Sequence, residues 1–186
     1  MVLVTNGGLS IRFPEENVRV MGRPAAGVRG IRVADDDSVV ASALVDAEAT
    51  LLVAGEKGVG KRTVFDEYRV QSRGGKGIIT MKTTEKTGKV IGALAVKEGD
   101  EIMMITKEGQ MVRTSVNDIR ETGRNAQGVK LVNLDEGDTL LAIAPVISEA
   151  DEDALDDDEE AEGAEGAGEE ASAEAGESAP ESSESE

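Results

Sequence analysis

The stretch GEKGVGKRT, residues 55–63, contains the spacing G-x-x-x-x-G-K of loops that bind nucleotide phosphates. In such a loop the backbone N–H groups surround the phosphates, and a Ser or Thr directly after the lysine holds magnesium. Here Arg62 follows Lys61, and Thr63 comes one position too late. The position of the magnesium ligand is therefore wrong for a nucleotide-binding loop. If the same segment recurs in the chain without the lysine, the spacing belongs to a structural repeat and not to a nucleotide site.

The segment does recur, at a spacing of about 50 residues. Three stretches share an apolar run, a glycine-containing turn and then an Arg as the second-last residue. They are VLVTNGGLSIRF (2–13), LLVAGEKGVGKRT (51–63) and IMMITKEGQMVRT (102–114). The first and third copies have no trace of G-x-x-x-x-G-K. We therefore interpret the P-loop-like stretch as the hairpin turn of a second repeat.

Each repeat has the signals of short strands. Runs rich in Val, Ile, Met and Thr are separated by turns such as TNGG, GEKG and TKEG, and no stretch before residue 147 keeps helical periodicity over three turns. About four strands in a repeat of this length are typical of propeller blades. We expect an all-β fold of three β-propeller or β-pinwheel blades, approximately residues 1–49, 50–100 and 101–147. A sandwich would not explain the period, and three blades suggest a fragment more than an assembly in trans.

Charge divides the chain in two. Residues 1–147 contain all 20 Lys and Arg and 20 of the 38 acids, whereas residues 148–186 contain the other 18 acids and no base, so the net charge of −18 arises in the tail. The composition of the tail predicts a disordered acidic segment. The neutral balance of the repeats is compatible with a local basic surface for an anionic partner.

Other functions are excluded by composition. With no Cys and no His, the chain has no thiolate or imidazole metal site and no Ser-His-Asp triad. The sequence predicts no catalytic residues, no metal and no cofactor. It has no long apolar run and no signal peptide, so we expect a cytoplasmic protein without a membrane span.

The repeat sorts nine of the arginines into three columns, each with one residue per copy. A surface of stacked repeats would turn such columns into a basic belt, although any single Arg is expected to be a solvated or ion-paired strand residue. The first column is Arg12, Arg62 and Arg113; the second is Arg19, Arg69 and Arg120; the third is Arg23, Arg73 and Arg124.

The stretch QSRGGKGI, residues 71–78, is the strongest local candidate for phosphate binding. Two adjacent glycines between Arg73 and Lys76 allow the backbone to approach a phosphate, and the two cations neutralise its charge. The related stretches MGRPAAGV and TGRNAQGV keep only the Arg and the last Gly. We expect a tight turn in all three copies and phosphate chemistry in the middle one.

These residues resemble the C-terminal β-pinwheel domain of the DNA gyrase A protein over residues 1–147. QSRGGKG is similar to that family's signature box, Q-R-R-G-G-R/K-G, with Ser72 as the departure. The matching residues are Gln71, Arg73, Gly74, Gly75, Lys76 and Gly77. The box usually lies in the first blade of that family and here lies in the second repeat.

The resemblance implies a disc of usually six blades that wraps double-stranded DNA around its basic rim and supports negative supercoiling. It also implies two partners, the rest of the gyrase A protein and the gyrase B ATPase. The module would be non-catalytic by itself, although the chain resembles part of an enzyme, an ATP-dependent type II topoisomerase. Tyr68 aligns with Val18 and Ile119, so we interpret it as a packing residue. The alternatives are the corresponding C-terminal domain of topoisomerase IV and a propeller-like protein-interaction scaffold without DNA affinity.

We predict that the chain does not bind ATP, because the only lysine with P-loop spacing belongs to a repeated hairpin. Isothermal titration calorimetry of the full chain with ATP and magnesium should give no binding heat. A binding heat that disappears in Lys61→Ala would restore the nucleotide-binding interpretation.

Overall fold

The computed structural model describes residues 1–147, and the predicted acidic tail, residues 148–186, lies outside them. In the described part, strands are joined by turns, and the helices are three-residue 3₁₀ segments at Glu15–Asn17, Phe65–Glu67 and Val116–Asp118. The prediction of an all-β fold built from blades is confirmed.

The strands occur in the same order in each repeat, except that the first repeat has no counterpart of the short strands β6 and β10. They are β1 (Val2–Thr5), β2 (Leu9–Arg12), β3 (Val39–Ala43), β4 (Thr50–Gly55), β5 (Val59–Val64), β6 (Ile78–Ile79), β7 (Val90–Val96), β8 (Glu101–Thr106), β9 (Met111–Ser115), β10 (Val129–Lys130) and β11 (Leu140–Val146).

Every blade is built on an antiparallel hairpin, β1–β2, β4–β5 or β8–β9. The hairpin turns need a residue with positive φ, which glycine adopts without steric cost. Gly8, Gly58 and Gly109 supply it with φ of 81°, 70° and 87°. A third strand, β3, β7 or β11, pairs with the other edge of the first hairpin strand, with a register shift in each pair.

The fourth strand of a blade comes from the next repeat. β6 of the second repeat pairs with β2, which gives the order β3-β1-β2-β6, and β10 of the third repeat pairs with β5 to give β10-β5-β4-β7. The third sheet has the order β11-β8-β9 within the described residues. A sequence repeat and a blade are therefore offset, because each donated strand crosses into the preceding blade.

The third strands define the inside of the arrangement. β7 packs against both β3 and β11, so these three strands meet where the blades converge. β6 and β10 lie at the opposite edge of their sheets. We call this opposite edge, with the loops of residues 68–77 and 119–128 that lead into the donated strands, the outer rim.

Aliphatic side chains fill the spaces between blades, as the scarcity of aromatic residues requires. Because side chains alternate along a strand, successive residues of β4 face different neighbours. Leu51 and Val53 pack in one core cluster with β1, whereas Leu52 and Ala54 pack in a second cluster with β8. The middle hairpin thus contributes to both blade junctions.

Tyr68 is part of the first of these clusters, in agreement with its interpretation as a packing residue. Its side chain is 1% exposed, and its hydroxyl group is 2.8 Å from the hydroxyl oxygen of Thr80. Burial raises the pKa of the Tyr68 hydroxyl. The ring therefore closes a junction between strands and is not presented to a substrate.

Lys61, the lysine of the P-loop-like stretch, is fully buried. Its Nζ donates to the backbone carbonyls of Gly123 (3.3 Å), Arg124 and Ala126 (2.9 Å). The segment after the turn is strand β5, where a phosphate-binding loop would lead into a helix. Lys61 therefore joins the second repeat to a loop of the third.

A pair of equivalent glycines provides a test of strand donation. We predict that Gly77→Ala lowers the free energy of unfolding by about 1–3 kcal/mol more than Gly27→Ala does. The two residues have φ of 78° and 79°, so the backbone cost is matched, but a Cβ at Gly77 would lie 2.5 Å from the carbonyl oxygen of Ser10, whereas a Cβ at Gly27 meets nothing within 4 Å. Equal losses in urea denaturation would contradict the close approach.

Lys61 generates a prediction on pH. Burial, with the nearby charge of Arg124, lowers the pKa of Lys61 from 10.5 to about 8. The unfolded chain therefore binds more protons between these values, and stability should rise with pH in that window, by at most about 2 kcal/mol from pH 7.5 to 9.5. Urea denaturation of Lys61→Met should lack this rise. Lys107→Met, at an exposed position, should keep it; loss of the rise in both variants would contradict the assignment to Lys61.

Candidate nucleic-acid interface

The first arginine column joins each blade to the next repeat. Arg12 Nη1 donates to the carbonyl oxygen of Phe65 at 2.7 Å, and Arg62 Nε donates to that of Ile119 at 2.5 Å. Arg62 is only 7% exposed. These two side chains are occupied by inter-repeat hydrogen bonds, which gives them a structural role, and their predicted DNA contact stays a prediction.

Arg113, the third member of this column, is exposed and contacts a carboxylate instead. Both Nε, at 2.9 Å, and Nη2 donate to Oε2 of Glu101 on the neighbouring strand. In the described residues no further repeat follows the third, so the carbonyl that this Arg would contact is not present there. Its charge is largely neutralised by Glu101, and the prediction of DNA contact by this column stays a prediction.

The third column makes the reciprocal connection, back to the preceding repeat. Arg73 donates from Nε to the carbonyl of Asn17 at 2.8 Å and from Nη1 to that of Arg29 at 3.1 Å. Arg124 Nη1 donates to the carbonyl of Ile79 at 2.6 Å. Arg29 and Ile79 are equivalent positions in their repeats. The same contact is thus made twice.

Arg23, the first member of this column, is exposed. It has no such contact within residues 1–147, where no repeat precedes its own. Two of the three columns are therefore explained by blade-to-blade hydrogen bonds wherever a neighbouring repeat is present. The contacts between blades are therefore sufficient to explain why these arginines recur in the sequence.

The second column has a different environment. Arg19, Arg69 and Arg120 are all exposed, and none forms an ion pair or a side-chain hydrogen bond within residues 1–147. Arg69 and Arg120 lie in the loops that lead into the donated strands, one residue before the bridges Arg12–Val70 and Arg62–Glu121. We call these three residues the arginine row. It gives each repeat one exposed cation that forms no ion pair within residues 1–147.

The glycine-rich stretch at 71–77 is a turn whose backbone is used by the fold. The N–H of Gln71 donates to the carbonyl of Arg12 at 2.8 Å, and that of Gly74 to Gly30 at 2.5 Å. Gly75 accepts from the N–H of Arg32 at 2.8 Å. The turn shape that the sequence predicted is present, with φ of 76° at Gly74 and 78° at Gly77.

Lys76 is the cation of this stretch that is left for a ligand, and Gln71 is not accessible in the same way. Lys76 is exposed and has no ion pair among residues 1–147. Gln71 Nε2 is buried and has no acceptor in the described part of the chain. The phosphate role of the stretch stays a prediction that depends on Lys76 more than on Arg73, which is engaged with the first repeat.

Sequence reasoning missed three exposed lysines on the groove between the second blade and the third repeat. Lys57, Lys86 and Lys130 line this groove together with Val59, Gly128 and Val129. They fall outside the arginine columns because Lys57 aligns with Gly7 and Glu108, and Lys130 aligns with Arg29 and Ile79. No single-sequence signal joins residues so far apart in the chain.

Two kinds of site are not found in the described part of the chain. Residues 1–147 contain no group of three or more His, Cys, Asp or Glu side chains that could hold a metal ion. They also contain no helix of the length and apolar character that a membrane crossing needs. The loops of the outer rim carry five cations and one carboxylate: Arg69, Arg73, Lys76, Arg120, Arg124 and Glu121.

Comparisons with known proteins agree with this architecture. The family model described as DNA gyrase C-terminal domain, beta-propeller, matches three consecutive segments, residues 1–46, 49–97 and 100–147. The DNA gyrase A protein of Salmonella typhimurium is 43% identical over 156 residues, which are 84% of this chain and 18% of the relative. That of Mycolicibacterium smegmatis is 46% identical over 155 residues, 82% of this chain and 18% of the relative.

Solved structures give the same result. A DNA gyrase A C-terminal domain matches with a TM-score of 0.72 and 30% identity over 78% of this chain and 50% of that domain. A C-terminal domain of DNA topoisomerase IV matches with a TM-score of 0.76 over 87% of this chain and 50% of its own, but at 23% identity, which shows the fold alone. The chain spans less than a fifth of the length of the curated relatives. With its three matched repeats, the chain belongs to the DNA gyrase C-terminal domain family of β-propellers.

Proposed function

We propose that this chain is a DNA-binding and DNA-wrapping module of a DNA gyrase A protein, and that it supports negative supercoiling without catalysing it alone. The observation that carries the proposal is the arginine row: Arg19, Arg69 and Arg120 recur once per repeat, are exposed, and lack a counter-ion within residues 1–147. A protein that used these positions only for solubility would not need them at one point of the repeat.

The binding mechanism is electrostatic. Each Arg or Lys that neutralises a phosphate releases condensed counterions, so affinity comes from phosphate contacts and falls with salt. Such contacts position the duplex without reading its sequence. The module should therefore prefer deformable DNA and show little base specificity.

The fold makes the rim suitable for bending. Blades that share strands and are joined by the hydrogen bonds of Arg12, Arg62, Arg73 and Arg124 resist relative motion. A stiff array of blades with one exposed Arg per repeat would hold a duplex in a bent path. Bending 20–30 base pairs by 40–90° costs on the order of 1–6 kcal/mol, which the added phosphate contacts offset.

The partners follow from the family. We propose double-stranded DNA as the ligand of the rim, and the remainder of a gyrase A protein with the gyrase B ATPase as the assembly in which it acts, in the cytoplasm. Curated relatives over four fifths of this chain are gyrase A proteins. That favours gyrase over topoisomerase IV, because the similarity to the topoisomerase IV domain is limited to the fold.

We predict that replacing Arg19, Arg69 and Arg120 together with Ala weakens duplex binding at low salt. Because up to three phosphate contacts are lost, the slope of log K against log salt should become less steep by about 2.7 units. Fluorescence anisotropy with a labelled duplex of about 40 base pairs, at several chloride concentrations, measures both quantities.

Two controls separate charge from folding. The triple Arg→Lys variant should retain a slope close to that of the parent chain. Lys97→Ala should leave the slope unchanged, because Lys97 Nζ is paired with Asp46 at 2.8 Å. Absence of duplex binding by the parent chain would contradict the proposal and favour the protein-interaction scaffold, and an unchanged slope in the triple Ala variant would remove the arginine row from the interface.

A further inference from the structure

A groove of about 400 Å³ lies between the second blade and the strand that the third repeat donates to it. We call it the lysine groove, and it is lined by Lys57, Val59, Lys86, Gly128, Val129 and Lys130. All three lysines are exposed. No carboxylate is among the lining residues.

Three separate elements bring the lysines together. Lys57 lies in the β4–β5 turn, and its N–H donates to the carbonyl of Thr87 at 3.2 Å, which holds this turn against the one that carries Lys86. Lys130 lies in β10, directly opposite Val59 of β5. The strand donation that completes the blade thus also completes the groove.

The fold does not require these charges. The corresponding groove at the other junction has a volume of about 450 Å³ and is lined by Gly7, Leu9, Ile79, Met81, Lys82, Thr83 and Thr84. There Gly7 and Ile79 occupy the positions of Lys57 and Lys130. Since the same junction forms with one lysine, the three lysines of the second junction are not explained by packing.

The electrostatics favour an anion in the lysine groove. Glu56 and Glu85 are next to Lys57 and Lys86 in the chain, yet none of the three lysines forms an ion pair within residues 1–147. Three ammonium groups around one cleft repel one another, and a phosphate group relieves that repulsion while accepting their hydrogen bonds. Gly128 and Val129 also line the groove.

The groove and Arg120 of the arginine row lie towards opposite ends of β5. On β5, Val59 pairs with Lys130, and three residues later Arg62 bridges Glu121, the neighbour of Arg120. Three residues of strand correspond to about 10 Å between the backbone positions of Val59 and Arg62. That separation is comparable to the width of a DNA groove, roughly 6–12 Å, across which phosphates of the two strands face each other.

We propose that the lysine groove is a backbone-phosphate site for the duplex, occupied by one DNA strand while the other contacts the arginine row. The proposal rests on the proposed DNA-binding function and adds a fixed contact at one blade junction. It makes the two junctions unequal, so that the duplex is held more tightly at the second than at the first.

The test is the triple variant Lys57→Ala, Lys86→Ala, Lys130→Ala in the full chain, with the same labelled duplex. We expect weaker binding and a slope of log K against log salt that is less steep by about 1–3 units. The triple Lys→Arg variant should keep the parent slope, and Lys82→Ala in the corresponding groove should change it by no more than about one unit. A circular-dichroism melting curve verifies that each variant is folded.

The outcomes separate this proposal from the function on which it rests. If the parent chain does not bind duplex DNA, the proposed function fails. If the parent chain binds and the triple Ala variant has the parent slope, only the lysine groove is overturned.

A second measurement does not depend on DNA. Amide chemical shifts of Gly128 and Val129 should change when sodium phosphate replaces sodium chloride at constant ionic strength, and should not change in the triple Ala variant. Absence of these shifts in the parent chain overturns the site. Shifts without any effect on the DNA slope would make it a site for free phosphate and overturn the assignment to the duplex.

Discussion

The structure depends on one constraint: a blade is complete only when the following repeat donates its outer strand. β6 pairs with β2, and β10 pairs with β5, through only two residues each. So short a strand is held because the backbone of Gly77 approaches that of Ser10, and Gly128 approaches Gly60, closer than any side chain would allow. The donated strand fixes the position of each repeat relative to the next. It therefore also fixes the spacing of the loops on the outer rim.

Repeated arginines serve this constraint in two directions. Arg12 and Arg62 donate forward to carbonyls of the next repeat, and Arg73 and Arg124 donate back to the previous one. A guanidinium group suits this role, since it stays charged when partly buried and has several donors for backbone carbonyls. The side chains of the second column have no such acceptor within residues 1–147. Recurrence of an Arg in this sequence is therefore not by itself evidence of a ligand, and the predicted DNA contacts of the first and third columns stay predictions.

Much of the fold was predictable from the sequence, and much of the site was not. The repeat, the hairpins and their glycine turns are local, so Gly8, Gly58 and Gly109 could be identified from the sequence alone. The offset between repeat and blade could not, because two-residue strands have no periodicity to detect. Nor could the burial of Lys61 or the bonds of Arg73, since their acceptors are backbone carbonyls, which every residue possesses and no sequence pattern marks.

Stiffness and charge placement are linked in this fold. A flexible array of repeats would adapt to straight DNA and lose the bend, because bending costs on the order of 1–6 kcal/mol per site and the weaker partner deforms. Here Lys61 and four arginines connect neighbouring repeats through hydrogen bonds to backbone carbonyls. Those cations are used in joining the repeats, and under the proposed function it is the remaining exposed cations that contact the phosphates of a bent duplex.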